Sequence, residues 1–302
     1  MSTVARSTGG PPGIPSLLRR LVDDAALFPP GSASMDVAVA EHRHHRSAPY
    51  ADLVGPLLVP SGRVDELRSL LGSGPALEVG LIGDGTGLSG LRAAVEVVLA
   101  DPRLRLRQVE HPADTASAPA VLEVARVLAE IPDTERYVEI PRGTAWLDAV
   151  RALAGQPWNQ PVGAKLRTGG LRADAFPTDD ELAAFLTTCL DAGLPFKLTA
   201  GLHHAVRHTA AETGFEHHGY LNVLAVVGDT RRPDVPDVVA ERRGGPLAER
   251  VRTLLGGADT SRRCFRSYGS CSVAEPLTDL ADLGLLDRQL LEHLPAPREG
   301  HA

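Results

Sequence analysis

A short apolar run, a turn and an amphipathic helical segment recur along most of the chain. "GPLLVP" leads into "SGRVDELRSLLGSG", where Ser61 or Gly62 can cap a helix that aligns Val64, Leu67, Leu70 and Leu71 on one face. "ALEVGLIG" precedes "GLSGLRAAVEVVLADP", and "RLRLRQVEH" precedes "APAVLEVARVLAEIP". "RYVEIP" is followed by "GTAWLDAVRALAG", with Thr144 as the expected N-cap. "PVGAKLRTGG" leads to "TDDELAAFLTTCLDAG", where Thr178 and Glu181 have capping-box spacing. "PFKLTAG" then runs into a histidine-rich segment, and "RCFRSYGS" into "EPLTDLADLGLL".

Seven strand-plus-helix units in succession predict a parallel sheet with helical crossovers. No GxGxxG follows the first run, and "GDGTGLSG" matches neither that motif nor a P-loop. The pattern therefore favours an α/β fold of the (β/α)8 TIM-barrel type over an open doubly wound sheet. An eighth strand is not evident: it is expected within residues 229–245, or the barrel is incomplete. The expected organisation is one barrel domain over 15–295 with an N-terminal helical extension at 15–55, a flexible start at 1–14 and a tail at 296–302. "DDAALFPPGSASM", residues 23–35, reads as a rigid apolar plug under the barrel floor, with a lid that carries Asp24 to the site as the alternative. "EHRHHR", residues 41–46, reads as the solvated face of an N-terminal helix.

The composition narrows the function. With 43% hydrophobic residues and no apolar run of bilayer-spanning length, a soluble protein without membrane contact is expected. The opening "MSTVARSTGGPPGIP" lacks a signal-peptide core, which predicts a cytoplasmic location. A net charge of −7 argues against a general nucleic-acid binder, and pairs such as Arg242 and Arg243 read as solvated helix faces. Cys189, Cys264 and Cys271 lack CxxC spacing and read as reduced thiols. The expected partner is a small-molecule substrate, and a homo-oligomer is left open.

Lysine is rare: Lys165 and Lys197 are two of 31 basic side chains. Genome composition accounts for the rarity but not for the placement. Each sits in a short apolar strand and is followed by a Thr and a Gly, 32 residues apart. Chemistry in such barrels gathers at the C-terminal ends of the strands, and alternate residues point inward. Parity places Gln108 and Glu110, Glu139, Lys165 and Arg167, and Lys197 and Thr199 on one face of their strands. A lysine there, desolvated beside a second cation, can lose its proton and attack a carbonyl. Lys197 is then the nucleophile, Lys165 its electrostatic tuner and Glu139 or Glu110 the proton shuttle. The competing reading is a buried ion-pair lattice that only fixes the register.

Two turns add anion-binding candidates. Arg167, Thr168, Gly169 and Gly170 combine a guanidinium with approachable backbone amides. Ser267, Gly269 and Ser270 fall where barrels often bind phosphate. His203, His204 and His208 follow Lys197 within eleven residues, with His217 and His218 close behind. His204 and His208 would share a helix face, so His204 reads as an acid/base residue and His203 as a substrate contact. A divalent metal held by His203, His204 and His208 with Glu139 or Glu212 is the second reading, although HExxH is absent. No cofactor is predicted otherwise.

The combination "DDAALFPP", "KLRTGG", "FKLTAGLHH" and "SYGSCSVAEP" resembles an uncharacterised family of bacterial proteins along nearly the whole chain. That resemblance implies a shared architecture and no reaction. "FKLTAG" alone is similar to the Schiff-base strand of deoxyribose-phosphate aldolases, with Lys197 and Gly201 in the matching places. Phe196 is adjacent to the lysine rather than two before it, and the Thr/Ser run is reduced to Thr199. The expectation is an aldolase- or lyase-like enzyme for a small carbonyl compound bearing phosphate or carboxylate. A metal-dependent hydrolase or isomerase is the first alternative and a non-catalytic binding or scaffold barrel the second.

Overall fold

A computed structural model describes residues 14–229, 234–255 and 261–295. Eight parallel strands close into a barrel: β1 (Val22–Asp24), β2 (Val54–Pro60), β3 (Leu77–Ile82), β4 (Leu104–Pro112), β5 (Glu135–Glu139), β6 (Gly163–Arg167), β7 (Phe196–Thr199) and β10 (Phe265–Ser270). β1 pairs with β2 on one side and β10 on the other, which completes the ring. Two further strands, β8 (His208–Thr209) and β9 (Glu216–His217), form a small antiparallel hairpin outside the barrel.

The helices form because their apolar positions recur at helical spacing and pack against the strands' outer face. α4 (Ala118–Ala129) buries Val121, Val124, Ala125 and Leu128, with Ser117 accepting at its N-cap. α6 (Asp179–Asp191) starts with the expected box, in which Thr178 and Glu181 bond reciprocally. The outward strand residues, such as Val109, Val138, Ala164, Leu166 and Leu198, complete this core with the helices.

Four expectations change. The eighth strand is β1 at the start of the chain, not a segment of 229–245, where α8 (Val235–Ala240) lies. At three residues β1 is too short to show a period, and its two aspartates hid it. Residues 15–55 are accordingly the barrel's first βα unit and not an extension. α1 (Met35–Ser47) is its helix; His42 and His45 are buried there, so "EHRHHR" is not a solvated face. His42 Nδ1 lies 2.9 Å from Asp24 Oδ2, which turns Asp24 outward, away from the barrel interior. "ALFPPG" is the β1–α1 connection and so lies over the C-terminal end, not under the floor. The Ala25 amide donates to Ser270, and a side chain at Gly31 would strike the Cβ of Cys271 at 2.9 Å.

Smaller corrections follow the same logic. α5 (Trp146–Ala154) is entered through Ala145 in the left-handed region, without a Thr144 side-chain cap. Arg242 and Arg243 sit between helices and pair with Glu216 and Glu241. The expected loose ends at 1–14 and 296–302 lie outside the described residues, except Ile14, which is buried.

Candidate active site

Inside the barrel, where close-packed Val, Ile and Leu would be the usual filling, the inward positions carry a chain of alternating charges. Lys197 Nζ lies 2.6 Å from Asp23 Oδ2 and 2.5 Å from Glu110 Oε1. The other Glu110 oxygen is 2.5 Å from Lys165 Nζ, which is 2.8 Å from Glu139 Oε2. Glu139 Oε1 in turn accepts from Arg167 Nε at 3.0 Å. Gln108 Nε2 donates to Asp23 and Glu110, and the Ser267 hydroxyl donates to Asp23 at 2.7 Å. Lys197 Nζ also stands 5.6 Å from the centre of the Tyr137 ring. Register explains the convergence: Glu139 pairs with Lys165, Lys165 with Lys197 and Arg167 with Thr199 across β5, β6 and β7.

Side-chain exposure rises along the chain toward the C-terminal mouth. The Lys197 side chain is 0% exposed, Lys165 4%, Glu139 16% and Arg167 54%. Burial opposes the charged form of Lys197, but Asp23 and Glu110 outweigh it and raise the amine above its ordinary value. Burial likewise works against ionised Glu110, yet Lys165 and Lys197 hold it below the usual carboxylate range. Glu139 is pushed down to about 2, because Lys165 and Arg167 overcome its desolvation. Glu110 stands between the two ammonium groups and meets one with each of its oxygens. The premise of a desolvated amine beside an unscreened cation is not met at Lys197.

The turns serve packing more than ligand cradling. The Thr168 hydroxyl donates to the Thr199 and Ala200 carbonyls, and its amide to Thr199. A Cβ on Gly169 would meet the Cα of Gly201 at 2.9 Å, so the "TGG" and "TAG" loops need glycine to touch. Gly170 faces Ala175 in the same way. Ser270 donates to the Ser272 carbonyl, and Ser267 points into the barrel. Of the expected anion site, the half-exposed Arg167 guanidinium stays accessible.

His203 and His204 lie on the loop after β7, and His208 and His217 on the β8–β9 hairpin, not on a helix. His203 Nδ1 is 3.0 Å from Glu275 Oε2, and His204 Nδ1 is 3.2 Å from Asp279 Oδ2, both acids belonging to α10 (Ala274–Asp282). His208 stacks edge-on against His204 at 4.8 Å and lies 5.2 Å from His217. Burial lowers His203, but Cys271 and Glu275 reverse this and push it up to about 10. Asp279 raises His204, whereas burial lowers His208 and takes His217 down to about 4. Among the described residues no group of three or more His, Cys, Asp or Glu side chains is arranged to hold a metal ion. Glu212 is exposed and takes no part in such a group.

Sequence reasoning missed Asp23, Cys271 and Glu275. Cys271 follows the last residue of β10, and its sulfur lies 3.7 Å from His203 Nδ1 and 3.8 Å from Nε2. The available signal was a nucleophilic residue directly after a barrel strand. A cavity of about 470 Å³ opens at the opposite, N-terminal end of the barrel. Arg19, Arg20, Arg107, Arg262 and Arg266 rim it, and Asp23, Gln108 and Ser267 line its depth. Arg20 and Arg107 share the single carboxylate of Glu78, and Arg266 pairs with Glu135.

Fold and site define a (β/α)8 barrel with a polar, ion-paired axis that reaches solvent at the catalytic end of such barrels. Compared with protein-family models, with curated proteins and with solved structures, the chain matches none. No helix among the described residues is long and apolar enough to cross a membrane.

Proposed function

We propose that the chain is an enzyme acting on a small carbonyl compound that bears a carboxylate or phosphate, bound at the C-terminal mouth of the barrel. The observation that carries this reading is the Glu139–Arg167 pair, the solvent-facing end of the buried ion chain. Apolar side chains of similar volume would serve stability as well or better than buried ion pairs. Charges kept in that position are therefore a functional candidate. An incoming oxyanion can take Arg167 bidentately while Glu139 keeps Lys165, so binding exchanges one carboxylate for another without stranding a charge.

The lysines act electrostatically in this reading. A Schiff base would require an unprotonated, accessible amine, and Lys197 is sealed between two carboxylates. Glu139, held at about 2, stays ionised at neutral pH and is a poor proton donor. Proton transfer falls instead to His203, which stands beside Cys271 and which Cys271 and Glu275 hold charged as a proton donor. The metal-dependent alternative has no donor cluster to support it among the described residues.

Calorimetric titration with dihydroxyacetone phosphate, pyruvate and neutral dihydroxyacetone tests the reading. The anionic probes should bind at least about tenfold more tightly than the neutral one, as expected for charge-assisted hydrogen bonds of roughly 1.5–3 kcal/mol. Arg167→Gln should remove that preference. Equal affinities, or a preference untouched by Arg167→Gln, would overturn it.

A further inference from the structure

We propose that Cys271 is a catalytic nucleophile, with His203 as its acid–base partner and Glu275 as the residue that positions the imidazole, and that it attacks acyl carbonyls. This names the reacting group for the mouth described above and rests on that reading for the substrate's charge, but it is carried by a separate constellation.

Three elements of the fold bring the group together. Cys271 follows β10, His203 lies in the loop after the neighbouring β7, and Glu275 is in the first turn of α10. β10 and β7 are paired, with Gly269 opposite Thr199, so the residues just beyond them emerge side by side. The sulfur is nearly equidistant from the two ring nitrogens, 3.7 Å from Nδ1 and 3.8 Å from Nε2, and Glu275 Oε2 occupies Nδ1 at 3.0 Å, so Nε2 is the nitrogen left to serve the thiol. Nucleophile, base and orienting carboxylate in this order are what covalent acyl transfer needs, and such contacts tighten when substrate binds.

Access separates this thiol from Cys189, which is fully buried; Cys264 is half-buried like Cys271 but precedes β10, at the opposite end of the barrel, and the His203 side chain is 18% exposed. The site lies on the face of the barrel where active sites form. The first-turn amides of α10 begin three residues after Cys271, where they favour a developing oxyanion; that of Glu275 is already taken by Ser272. The titratable groups that face His203 are Cys271, Glu275, His204 and His217. Arg167, Thr199 and Gly269 share one level across three adjacent strands. Two strand spacings of about 4.8 Å therefore separate the Arg167 strand from that of Cys271, a distance suited to a short acyl chain with an anionic end.

The chemistry balances with water as the second reactant. The Cys271–His203 couple reacts with its proton on His203, which Glu275 holds charged, and the Cys271 sulfur bonds to the carbonyl carbon as the carbonyl π pair moves to oxygen. The pair returns, the bond to the leaving oxygen breaks, and His203 gives that oxygen its proton. Water then adds to the thioester with the now neutral His203 as base, the carbon–sulfur bond breaks, and the sulfur leaves to pair again with the charged imidazole. An ester and water become an acid and an alcohol.

The test uses 4-nitrophenyl acetate and its anionic counterpart, 4-nitrophenyl hemisuccinate, with the full chain, following nitrophenolate release and mapping acyl groups by peptide mass. Acylation should fall on Cys271 well before Cys264, and Cys271→Ala should abolish the fast phase. His203→Ala should slow acylation by roughly 10²- to 10⁴-fold. Glu275→Gln should lower kcat with little change in KM, and Glu275→Asp should restore part of it, which a merely structural role would not produce. Thermal melts of each variant separate loss of fold from loss of chemistry. Equal acylation of Cys264 and Cys271, or an unchanged rate in folded His203→Ala, overturns the triad. If Cys271 is acylated by both esters alike and Arg167→Gln changes nothing, the nucleophile stands and the anion-binding reading falls. An Arg167-dependent preference with no adduct on Cys271 overturns the nucleophile and leaves the anion site standing.

Discussion

Replacing Lys197 with methionine removes the one ammonium that joins Asp23 to Glu110 while keeping most of the side chain's volume. The two carboxylates do not lose everything. Asp23 keeps Gln108 at 3.0 Å and Ser267 at 2.7 Å, and Glu110 keeps Lys165 at 2.5 Å. What is lost is charge balance at a fully buried point, where breaking one side of an ion pair costs about 3–5 kcal/mol. For 302 residues the unfolding entropy near the midpoint is roughly 0.6 kcal/mol/K, so Tm should fall by about 6 °C. The loss should depend on pH. In the variant an orphaned carboxylate has a folded pKa raised above its unfolded value, so the destabilisation is mild near the unfolded pKa of about 4 and grows as pH rises. Urea unfolding at pH 5 and pH 7 reads both quantities. A second change, Asp23→Asn, restores neutrality and should recover more than half of the loss at pH 7. A loss below about 1 kcal/mol at pH 7, or a larger loss at pH 5 than at pH 7, would falsify the charge-balance argument.

Two further outcomes follow from the geometry. Gly201→Ala places a Cβ 2.8 Å from the Thr168 carbonyl at a φ of +74°; it should cost about 1–3 kcal/mol in urea unfolding, and a neutral effect would show that the two mouth loops can separate. Borohydride reduction in the presence of dihydroxyacetone phosphate should leave Lys165 and Lys197 unmodified by peptide mass, because Lys197 is both sealed and held protonated; an adduct at either lysine would restore the Schiff-base reading.

The barrel was legible where a strand was long enough to alternate or a helix long enough to present a face. Seven of the strands and the Thr178 capping box fall in such segments. β1 did not, because Val22–Asp24 offers three residues and two of them are acidic. Strand parity gathered Gln108, Glu110, Glu139, Lys165, Arg167 and Lys197, since inward direction depends only on odd and even positions. It could not say that Glu110 would come between the lysines, because that follows from the stagger of neighbouring strands around the ring. Cys271 was hidden for a different reason: its partners lie 68 residues away at His203 and across a helix turn at Glu275, and only closure of the barrel makes them neighbours.

In the proposed site the ion chain and the thiol cluster divide the work of the mouth between them. Asp23, Glu110 and Glu139 alternate with Lys197, Lys165 and Arg167, so the axis sums to zero and needs no counterion from solvent. A neutral axis can be held in a low-dielectric interior, yet its last member, Arg167, still projects a guanidinium outward. Such an axis binds an anion well but is ill suited to hand out a nucleophile, because every amine in it is already engaged by two carboxylates. Cys271 stands outside the chain, on the same face, with its own base. The polar interior is therefore best understood as the fixed electrostatic floor of the site, and the loops after β7 and β10 as its reactive wall.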